Sequence, residues 1–348
     1  MGELRVAFWN VKDLFEPGTF PDRGPKGAPE LEAKVSAIAH ALRALFDGSG
    51  PDLIGLAEIH TPRILDLLTQ QLTTPYRVLW EPCRARSHPQ TGLAVLARRD
   101  LFASLKRVAA YSGPTTFGRP RFLIAECKAI GIADSLFFVV NHWRSRYSVA
   151  GSDDARDRLE TAQALGDWLA RSPRDTCAVV VGDFNAEPYE EPFGEFGLGS
   201  RRHFGPRLRL PRACLYNTAW RFLAEPDPAE TIALAGAGYS ASRPRTTFAG
   251  QEGGSVIFDQ LLVSGRALRG GPFTLRERSV AYACDDRIGY RTDGYMKPRR
   301  WTFHAGVPSG ASDHFPLIAT FDTSLNDGAP DRAIASSAPT PRTDGDRP

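Results

Sequence analysis

Residues 178–185 read AVVVGDFN and residues 312–321 read SDHFPLIATF. Each stretch joins a run of apolar, largely β-branched or aliphatic residues to a short cluster of acidic, amide or imidazole side chains. The apolar run predicts a buried strand, and the polar cluster predicts the point at which that strand meets a loop. A strand with reactive side chains at one end is the unit from which we predict the fold.

The same unit recurs along the chain. Six further apolar runs are bounded by Gly, Pro, Asp or Asn: LRVAF (4–8), DLIGLA (52–57), GLAVLA (92–97), FLIAEC (122–127), LFFVV (136–140) and IFDQLLV (257–263). Runs of this length and composition, separated by turn formers, predict strands. We therefore expect a protein dominated by β-structure, with enough strands to form two sheets.

Apolar residues recur at helical spacing in two segments. One face of the first carries Leu31, Val35, Ile38, Leu42 and Leu45, and one face of the second carries Ala155, Leu159, Ala162, Leu165 and Leu169. A shorter helix is predicted from Arg63 to Leu72. Many strands with few, well-separated helices favour an α/β fold of two mixed sheets packed face to face, flanked by helices, in a four-layer α-β-β-α sandwich. Periodicity alone leaves a doubly wound parallel sheet open.

The composition is that of a globular protein of 348 residues, with a formal net charge of only +3. Bulk charge therefore does not indicate a polyanionic partner. Five scattered cysteines form no CxxC pair, which indicates reduced thiols. The chain has neither the pattern of a signal peptide nor an apolar run that could cross a bilayer, so we expect a cytoplasmic monomer. We predict one domain over residues 1–323 and, from its Pro-, Ser- and Asp-rich composition, a disordered tail over 324–348.

Polar side chains follow or interrupt the predicted strands at comparable positions: Asn10, Glu58, Asn141, His142, Asp183, Asn185, Asp259, Asp313 and His314. Taken singly, each is explained by an ordinary turn, a solvated strand end or a packed core position. Their joint occurrence at strand ends indicates one shared site. Strands that share a rim bring such residues together although they are distant in sequence.

These residue types suit hydrolysis of a phosphoester. Mg²⁺ takes oxygen ligands, usually one or two carboxylates, and keeps several waters. Glu58 fits that role, with Asn10 or Asp313 assisting. A histidine supplies proton chemistry near neutral pH when a carboxylate fixes its tautomer, and we expect Asp259 to do so for His314.

Six segments together resemble the endonuclease/exonuclease/phosphatase superfamily, which has the DNase-I-like fold: FWNVKDLF, LAEI, NHWRSR, VVGDFN, IFDQLLVS and SDHFPL. His142 is similar to the histidine of the DNase-I-like, sphingomyelinase-like and inositol-phosphatase-like branches, whereas abasic-site endonucleases carry a tyrosine near this place. Lys12 stands where abasic-site enzymes have an acid. The resemblance therefore implies a bacterial-type member of the histidine-containing branch. Gln90 and Thr91 stand where DNase I has the acid that supports this histidine, so the partner of His142 is open.

The resemblance also implies roles for individual residues. Glu58, Asn10 and Asp313 would bind Mg²⁺ or Mn²⁺; His314, Asp259, Asp183, Asn185 and His142 would be catalytic; and Arg119, Asn141 and Arg144 would contact substrate. Asp183 and Asn185 would position or activate the attacking water and hold the phosphate. Asp259 would orient His314.

The sequence constrains the class of substrate less than it constrains the type of reaction. Residues 285–306 interleave basic and aromatic side chains, a mixture that suits a nucleic-acid strand, an anionic lipid headgroup or a loop that packs its own aromatics. We expect a nuclease acting on DNA or RNA. The alternatives are a phospholipid (sphingomyelinase-like) or inositol-phosphate phosphoesterase and, from another class, a catalytically silent binding module of the same fold.

Overall fold

The computed structural model describes residues 2–20, 22–83, 91–113, 118–146, 154–173, 175–195, 198–201, 214–223, 256–292 and 295–324. Residues 325–348, almost all of the predicted tail, lie outside the described residues, as does Gln90. The division at residue 323 therefore stays a prediction. No helix in the described ranges is both long and apolar enough to cross a membrane.

Two mixed sheets form the body of the molecule. The first sheet contains β1 (Glu3–Leu14), β2 (Leu53–Ile59), β3 (Tyr76–Glu81), β4 (Gly92–Arg98), β11 (Phe273–Leu275), β12 (Ala281–Tyr282) and β17 (Leu317–Thr323). The second contains β5 (Phe102–Tyr111), β6 (Phe122–Ala129), β7 (Leu136–His142), β8 (Cys177–Asp183), β9 (Tyr216–Asn217) and β10 (Asp259–Val263). Two small hairpins pair β13 (Gly289–Thr292) with β14 (Tyr295–Pro298) and β15 (Thr302–His304) with β16 (Val307–Ser309).

The strand orders place one parallel pair near the centre of each sheet. The first sheet runs β11-β17-β1-β2-β4-β3, with β12 paired to β17, and the second runs β5-β6-β7-β8-β10-β9. The pairs β1–β2 and β7–β8 are parallel, and the other ladders are antiparallel. The carboxyl ends of β1 and β2 therefore lie at the same edge of their sheet, as do those of β7 and β8.

Helices cover the outer faces of the sandwich: α1 (Ala28–Ala44), α2 (Pro62–Gln70), α3 (Asp154–Arg171), α4 (Glu191–Glu195) and α5 (Gly265–Leu268), with 3₁₀ turns at Thr218–Leu223 and Glu277–Ser279. Alternation along β8 shows the layering. Val179 and Val181 join the main core, which both sheets share, whereas Ala178 and Val180 pack in a second cluster with residues of α3. The predicted four-layer α-β-β-α sandwich is confirmed.

The predicted apolar face of α3 is wrong in its first two turns. Ala155 is exposed and Leu159 is only half-buried, while Asp157, Arg158 and Thr161 are buried instead. The cause is a buried ion pair, because the Asp157 carboxylate accepts a 2.8 Å hydrogen bond from Arg121 in the loop before β6. Polar burial of this kind is invisible to a search for apolar spacing.

Strands β3 and β5 were not predicted. Both lie at the outer edge of their sheets, and both carry exposed or half-buried side chains along much of their length. An edge strand with a solvated face lacks the continuous apolar run that marks a central strand.

Gly55 lies where the two sheets approach each other. A Cβ atom at this position would be 2.7 Å from Cγ2 of Val140 and 3.3 Å from ring atoms of Phe138 and Phe8. We expect Gly55→Ala to lower the free energy of unfolding by about 1–3 kcal/mol, because the packed neighbours must shift. Urea unfolding measures this. Gly194→Ala is the matched control, since nothing lies within 4 Å of its added methyl; equal stability losses in both variants would contradict the packing account.

Candidate active site

The polar strand ends meet at one rim of the sandwich, and buried hydrogen bonds tie their loops together. Ser312 Oγ donates to the backbone oxygen of Asn10 at 2.6 Å, and Trp9 Nε1 donates to the backbone oxygen of His314 at 2.9 Å. Tyr282 also donates its hydroxyl to the backbone oxygen of Asp259 at 2.5 Å. The first two bonds fix the loop before β17 against the end of β1, and the third fixes β12 against the start of β10.

The backbone is strained at this rim. Lys12, Asp13, Glu58 and Asn185 all have φ between +47° and +68°, a region that residues other than glycine rarely adopt. Glu58 is the extra residue of a bulge in β2, opposite β4. Two hydrogen bonds hold the conformation: Asp13 N donates to Glu58 Oε2 at 2.8 Å, and Asn185 N donates to Asp183 Oδ1 at 3.0 Å. The bulge in β2 aims Glu58 into the site, a common use of local strain.

Asn10 joins two buried carboxylates at the centre of the site. Its Nδ2 donates to Glu58 Oε1 and to Asp183 Oδ2, both at 3.1 Å, while its Oδ1 accepts from Lys12 N at 3.0 Å. The side chains of Asn10, Glu58 and Asp183 are all buried. The predicted neighbours Asn10, Glu58 and Asp183 are therefore in direct contact.

Asp183 lies between two imidazole rings. Its Oδ2 is 3.8 Å from Nε2 of His142 and 3.8 Å from Nε2 of His314. His314 Nδ1 pairs with Asp259 Oδ2 at 2.8 Å, which leaves Nε2 facing Asp183 and, at 3.7 Å, Asp313 Oδ1. The expected pair of Asp259 and His314 is present in the geometry. His142 has Glu58 Oε1 at 3.7 Å as well as Asp183, so its acidic neighbours come from β2 and β8.

The two histidines are driven toward opposite charge states. Burial lowers the pKa of His142 to about 4, although Glu58 and Asp183 oppose this. Burial also opposes charge on His314, but the carboxylates of Asp259, Asp183 and Asp313 outweigh it and raise the pKa of His314 to about 10. At pH 7 His142 is therefore neutral and His314 is protonated, while burial raises the pKa of its partner Asp259 to about 7, so that the ion pair is complete above this pH.

Glu58 is held as a carboxylate. Burial opposes its ionisation, but the charge of Lys12, the neighbouring His142 and the N–H of Asp13 hold the pKa of Glu58 well below its ordinary value. Asp313 contributes a second carboxylate, whose Oδ1 is buried and lacks a hydrogen-bond partner among the described residues. A buried ionised group and an unsatisfied oxygen fit a cation that is bound by oxygen ligands.

Two sets of side chains are candidates for holding a divalent ion. Asp183, Asp259 and His314 have potential ligand atoms within 4.8 Å of one another. However, His314 already uses Nδ1 for Asp259, and a protonated imidazole does not ligate metal. Glu58 and Asp313 offer only oxygens, which suits Mg²⁺ better. Asn10 lies beside Glu58, but with its amide hydrogens toward the carboxylates.

The arginines predicted to contact substrate differ in position. Arg119 is half-buried, and burial lowers its pKa while the Glu58 carboxylate opposes the shift, which places Arg119 within electrostatic reach of the site. Arg144 Nε instead donates to Asp154 Oδ1 at 2.8 Å. Arg146 donates to the backbone oxygen of Asn185 at 3.1 Å, so it braces the loop that carries Asn185.

Asn141, also predicted to contact substrate, is fully buried and occupied. Its Nδ2 donates to the backbone oxygen of Val181 at 3.0 Å, and its Oδ1 accepts from Trp143 Nε1 at 3.1 Å. Gly182 allows this close approach, since a Cβ there would lie 2.4 Å from Cβ of Asn141. The geometry favours a structural role for Asn141 in joining β7 to β8.

Sequence reasoning missed the residues that support the site from behind. Ser312, Trp9 and Tyr282 act through hydrogen bonds to backbone oxygens, and no spacing pattern marks such bonds. Lys34 was assigned no role, yet it is buried on α1 and donates to the backbone oxygen of Lys12. A lysine on the apolar side of a helix was the available signal.

Solved structures share this fold at low sequence identity. TDP2 of D. rerio, solved with a single-strand DNA product, has a TM-score of 0.53 and 16% identity over 92% of this chain and 99% of that chain. The human nocturnin catalytic domain, solved with a bound sulfate anion, has a TM-score of 0.52 and 16% identity over 92% of this chain and 95% of that chain. A protein of the endonuclease/exonuclease/phosphatase family from Bacteroides thetaiotaomicron gives 0.53 and 15% over 93% and 98%.

No curated protein matches the sequence. The family model described as "Endonuclease/Exonuclease/phosphatase family" matches residues 9–314, a span that runs from Trp9 in β1 to His314. The match therefore includes every strand end that contributes to the site. This chain belongs to the Endonuclease/Exonuclease/phosphatase family.

Proposed function

We propose that this protein hydrolyses phosphodiester bonds with the help of a divalent metal ion, by in-line attack of water, and that nucleic acid is its substrate. The observation that carries the proposal is the position of Asp183, whose carboxylate contacts the Asn10 amide and lies 3.8 Å from the Nε2 atoms of both His142 and His314. A buried acid between a neutral and a cationic imidazole suits proton transfer beside an anionic reaction centre.

Glu58 and Asp313 are the side chains proposed to hold Mg²⁺ or Mn²⁺, with Asn10 keeping Glu58 in place. The ion, when bound, would neutralise charge that develops on the phosphate and on the leaving oxygen. Both residues face the rim at which Asp183 and His314 meet.

Asp183 is proposed to accept the proton of the attacking water. His314, whose pKa the neighbouring carboxylates raise, is proposed to supply positive charge to a phosphate oxygen. Neutral His142 can donate a hydrogen bond from the opposite side. Asn185, fixed by its bond to the backbone oxygen of Trp143 at 3.1 Å, is placed to orient the water or the phosphate.

Nucleic acid is supported by the relative solved with a single-strand DNA product and by one basic and one aromatic side chain beside Asp313. Arg300 and Trp301, from the predicted basic-aromatic segment, line a cavity of about 370 Å³ whose other charged residues are Lys12, Lys34, Asp13, Asp22, Glu30 and Asp313. A cation and an indole ring beside the proposed metal ligand Asp313 suit a phosphate and a base. Arg287, in the same segment, is instead paired with Asp285.

Glu58→Gln should lower kcat/KM for a generic phosphodiester by about 10²–10³-fold, because the neutral amide removes the charge that holds the metal. Initial rates with bis(p-nitrophenyl) phosphate in Mg²⁺ measure this, with EDTA as the zero point and thermal unfolding as the check on folding. Glu126→Gln is the matched control, since Glu126 lies on β6 and accepts from Ser135 at 2.6 Å. A folded Glu58→Gln enzyme at the control's rate would refute the metal assignment.

Asp259 and His314 should behave as one unit. We expect His314→Ala and Asp259→Asn each to lower kcat by about 10²–10⁴-fold, and the double variant to be no worse than the more damaged single variant. A double-mutant cycle on kcat/KM measures the coupling. Losses that multiply in the double variant would show that the pair does not act together, and near-normal rates would favour a silent binding module.

A substrate panel separates nuclease from lipid or inositol-phosphate hydrolase. With purified protein, Mg²⁺ and EDTA controls, we expect turnover of plasmid DNA or single-stranded oligonucleotides, and little or none of sphingomyelin and inositol phosphates. The apparent affinity for nucleic acid should fall steeply with salt, because phosphate contacts release counterions. Selective turnover of sphingomyelin or of an inositol phosphate would replace nucleic acid as the proposed substrate while leaving the phosphoester chemistry intact.

A further inference from the structure

Lys12 is displayed by a bulge in β1. Three residues lie between Asn10 and Leu14, whereas only one lies between their partners Ala57 and Ile59 in β2. Lys12 and Asp13 take up the excess, with φ values of 49° and 48°. The first sheet therefore departs from regular pairing at the point where it presents Lys12 to the site.

The bulge is fixed at both ends of Lys12. Its backbone N–H donates to Asn10 Oδ1 at 3.0 Å, and its backbone oxygen accepts from the ammonium group of Lys34. Lys34 is 2% exposed, and burial lowers the pKa of Lys34 to about 8 despite the nearby carboxylates. A buried ammonium group is unfavourable unless it is hydrogen-bonded, and this one donates to the Lys12 backbone oxygen. The bond therefore ties the backbone of Lys12 to α1.

The Lys12 ammonium lies beside the proposed metal ligands. Lys12 Nζ is 3.7 Å from Asp313 Oδ2, and Glu58, more than any other group, raises the pKa of Lys12 above its ordinary value. Asp13 has a different main partner, since Arg23 Nε donates to Asp13 Oδ2 at 3.2 Å. The charge of Lys12 is thus directed at Glu58 and Asp313.

We propose that Lys12 is a resident cation of the metal site, which shares the Glu58 and Asp313 carboxylates with the divalent ion and weakens its binding to the free enzyme. This inference rests on the proposed function, because it takes these two carboxylates as metal ligands. Two positive charges within a few ångströms repel each other, and water screens only part of this repulsion because the Lys12 side chain is 41% exposed while Asp313 is largely buried. Before the ion binds, the charge of Lys12 reduces the repulsion between the Glu58 and Asp313 carboxylates.

Binding of Mn²⁺ alone to the full-length protein, followed by electron paramagnetic resonance, tests this inference without any substrate. We expect Lys12→Gln to bind Mn²⁺ about tenfold more tightly than the unmodified protein, because two unit charges about 4 Å apart interact by about 1 kcal/mol even in water and the ion carries a double charge. Lys12→Arg keeps the charge and should bind Mn²⁺ with nearly unchanged affinity. All three side chains are unbranched at Cβ, so the cost of the left-handed backbone is similar in each.

Glu58→Gln separates the two levels of the hypothesis. If the unmodified protein binds Mn²⁺ and Glu58→Gln loses that binding, the metal site stands, and equal affinities of Lys12→Gln and unmodified protein then overturn the lysine inference alone. Weaker binding by Lys12→Gln also overturns it. If the unmodified protein does not bind Mn²⁺, or if Glu58→Gln binds it equally well, the proposed metal site fails and the lysine inference fails with it.

Discussion

Electrostatic repulsion among buried carboxylates is the constraint on which the rim of this sandwich depends. Glu58 and Asp183 approach each other closely enough to share one amide group, that of Asn10. Asp313 lies with Asp183 near Nε2 of His314, and Asp259 contacts Nδ1 on the other side of that ring. Such a group of acids would protonate or separate in an apolar interior unless donors and cations offset the charge. The amide of Asn10, the His314 cation and the Lys12 ammonium supply that offset.

The directions of the strands bring these side chains to one rim. Because β1 and β2 run parallel, Asn10 and Glu58 emerge at the same edge, and because β7 and β8 run parallel, His142 and Asp183 do so in the second sheet. Face-to-face packing then brings the two edges together. The bulges at Lys12–Asp13 and Glu58 cost backbone energy at the rim, where the apolar core no longer requires regular pairing.

The sequence predicted the central strands and the residues that end them, because a buried strand leaves a continuous apolar run and a polar terminus. It did not predict β3 and β5, whose solvated faces dilute that run, or the buried polar turns of α3, where Asp157 is buried through its pairing with Arg121. The same limit applies to single residues. Substrate contact by Asn141 and Arg144 stays a prediction, but their hydrogen bonds to Val181 and Asp154 are with partners that no spacing rule identifies.

The difference between the two histidines follows from what each ring contacts behind the site. His314 has Asp259 directly at Nδ1, so its ring is part of an ion pair before any ligand arrives. His142 has no carboxylate closer than 3.7 Å among the described residues, and its burial therefore decides its charge. Two chemically identical side chains thus acquire separate roles from one buried aspartate. Exchange of those roles would require a carboxylate in direct contact with His142, as Asp259 is with Nδ1 of His314.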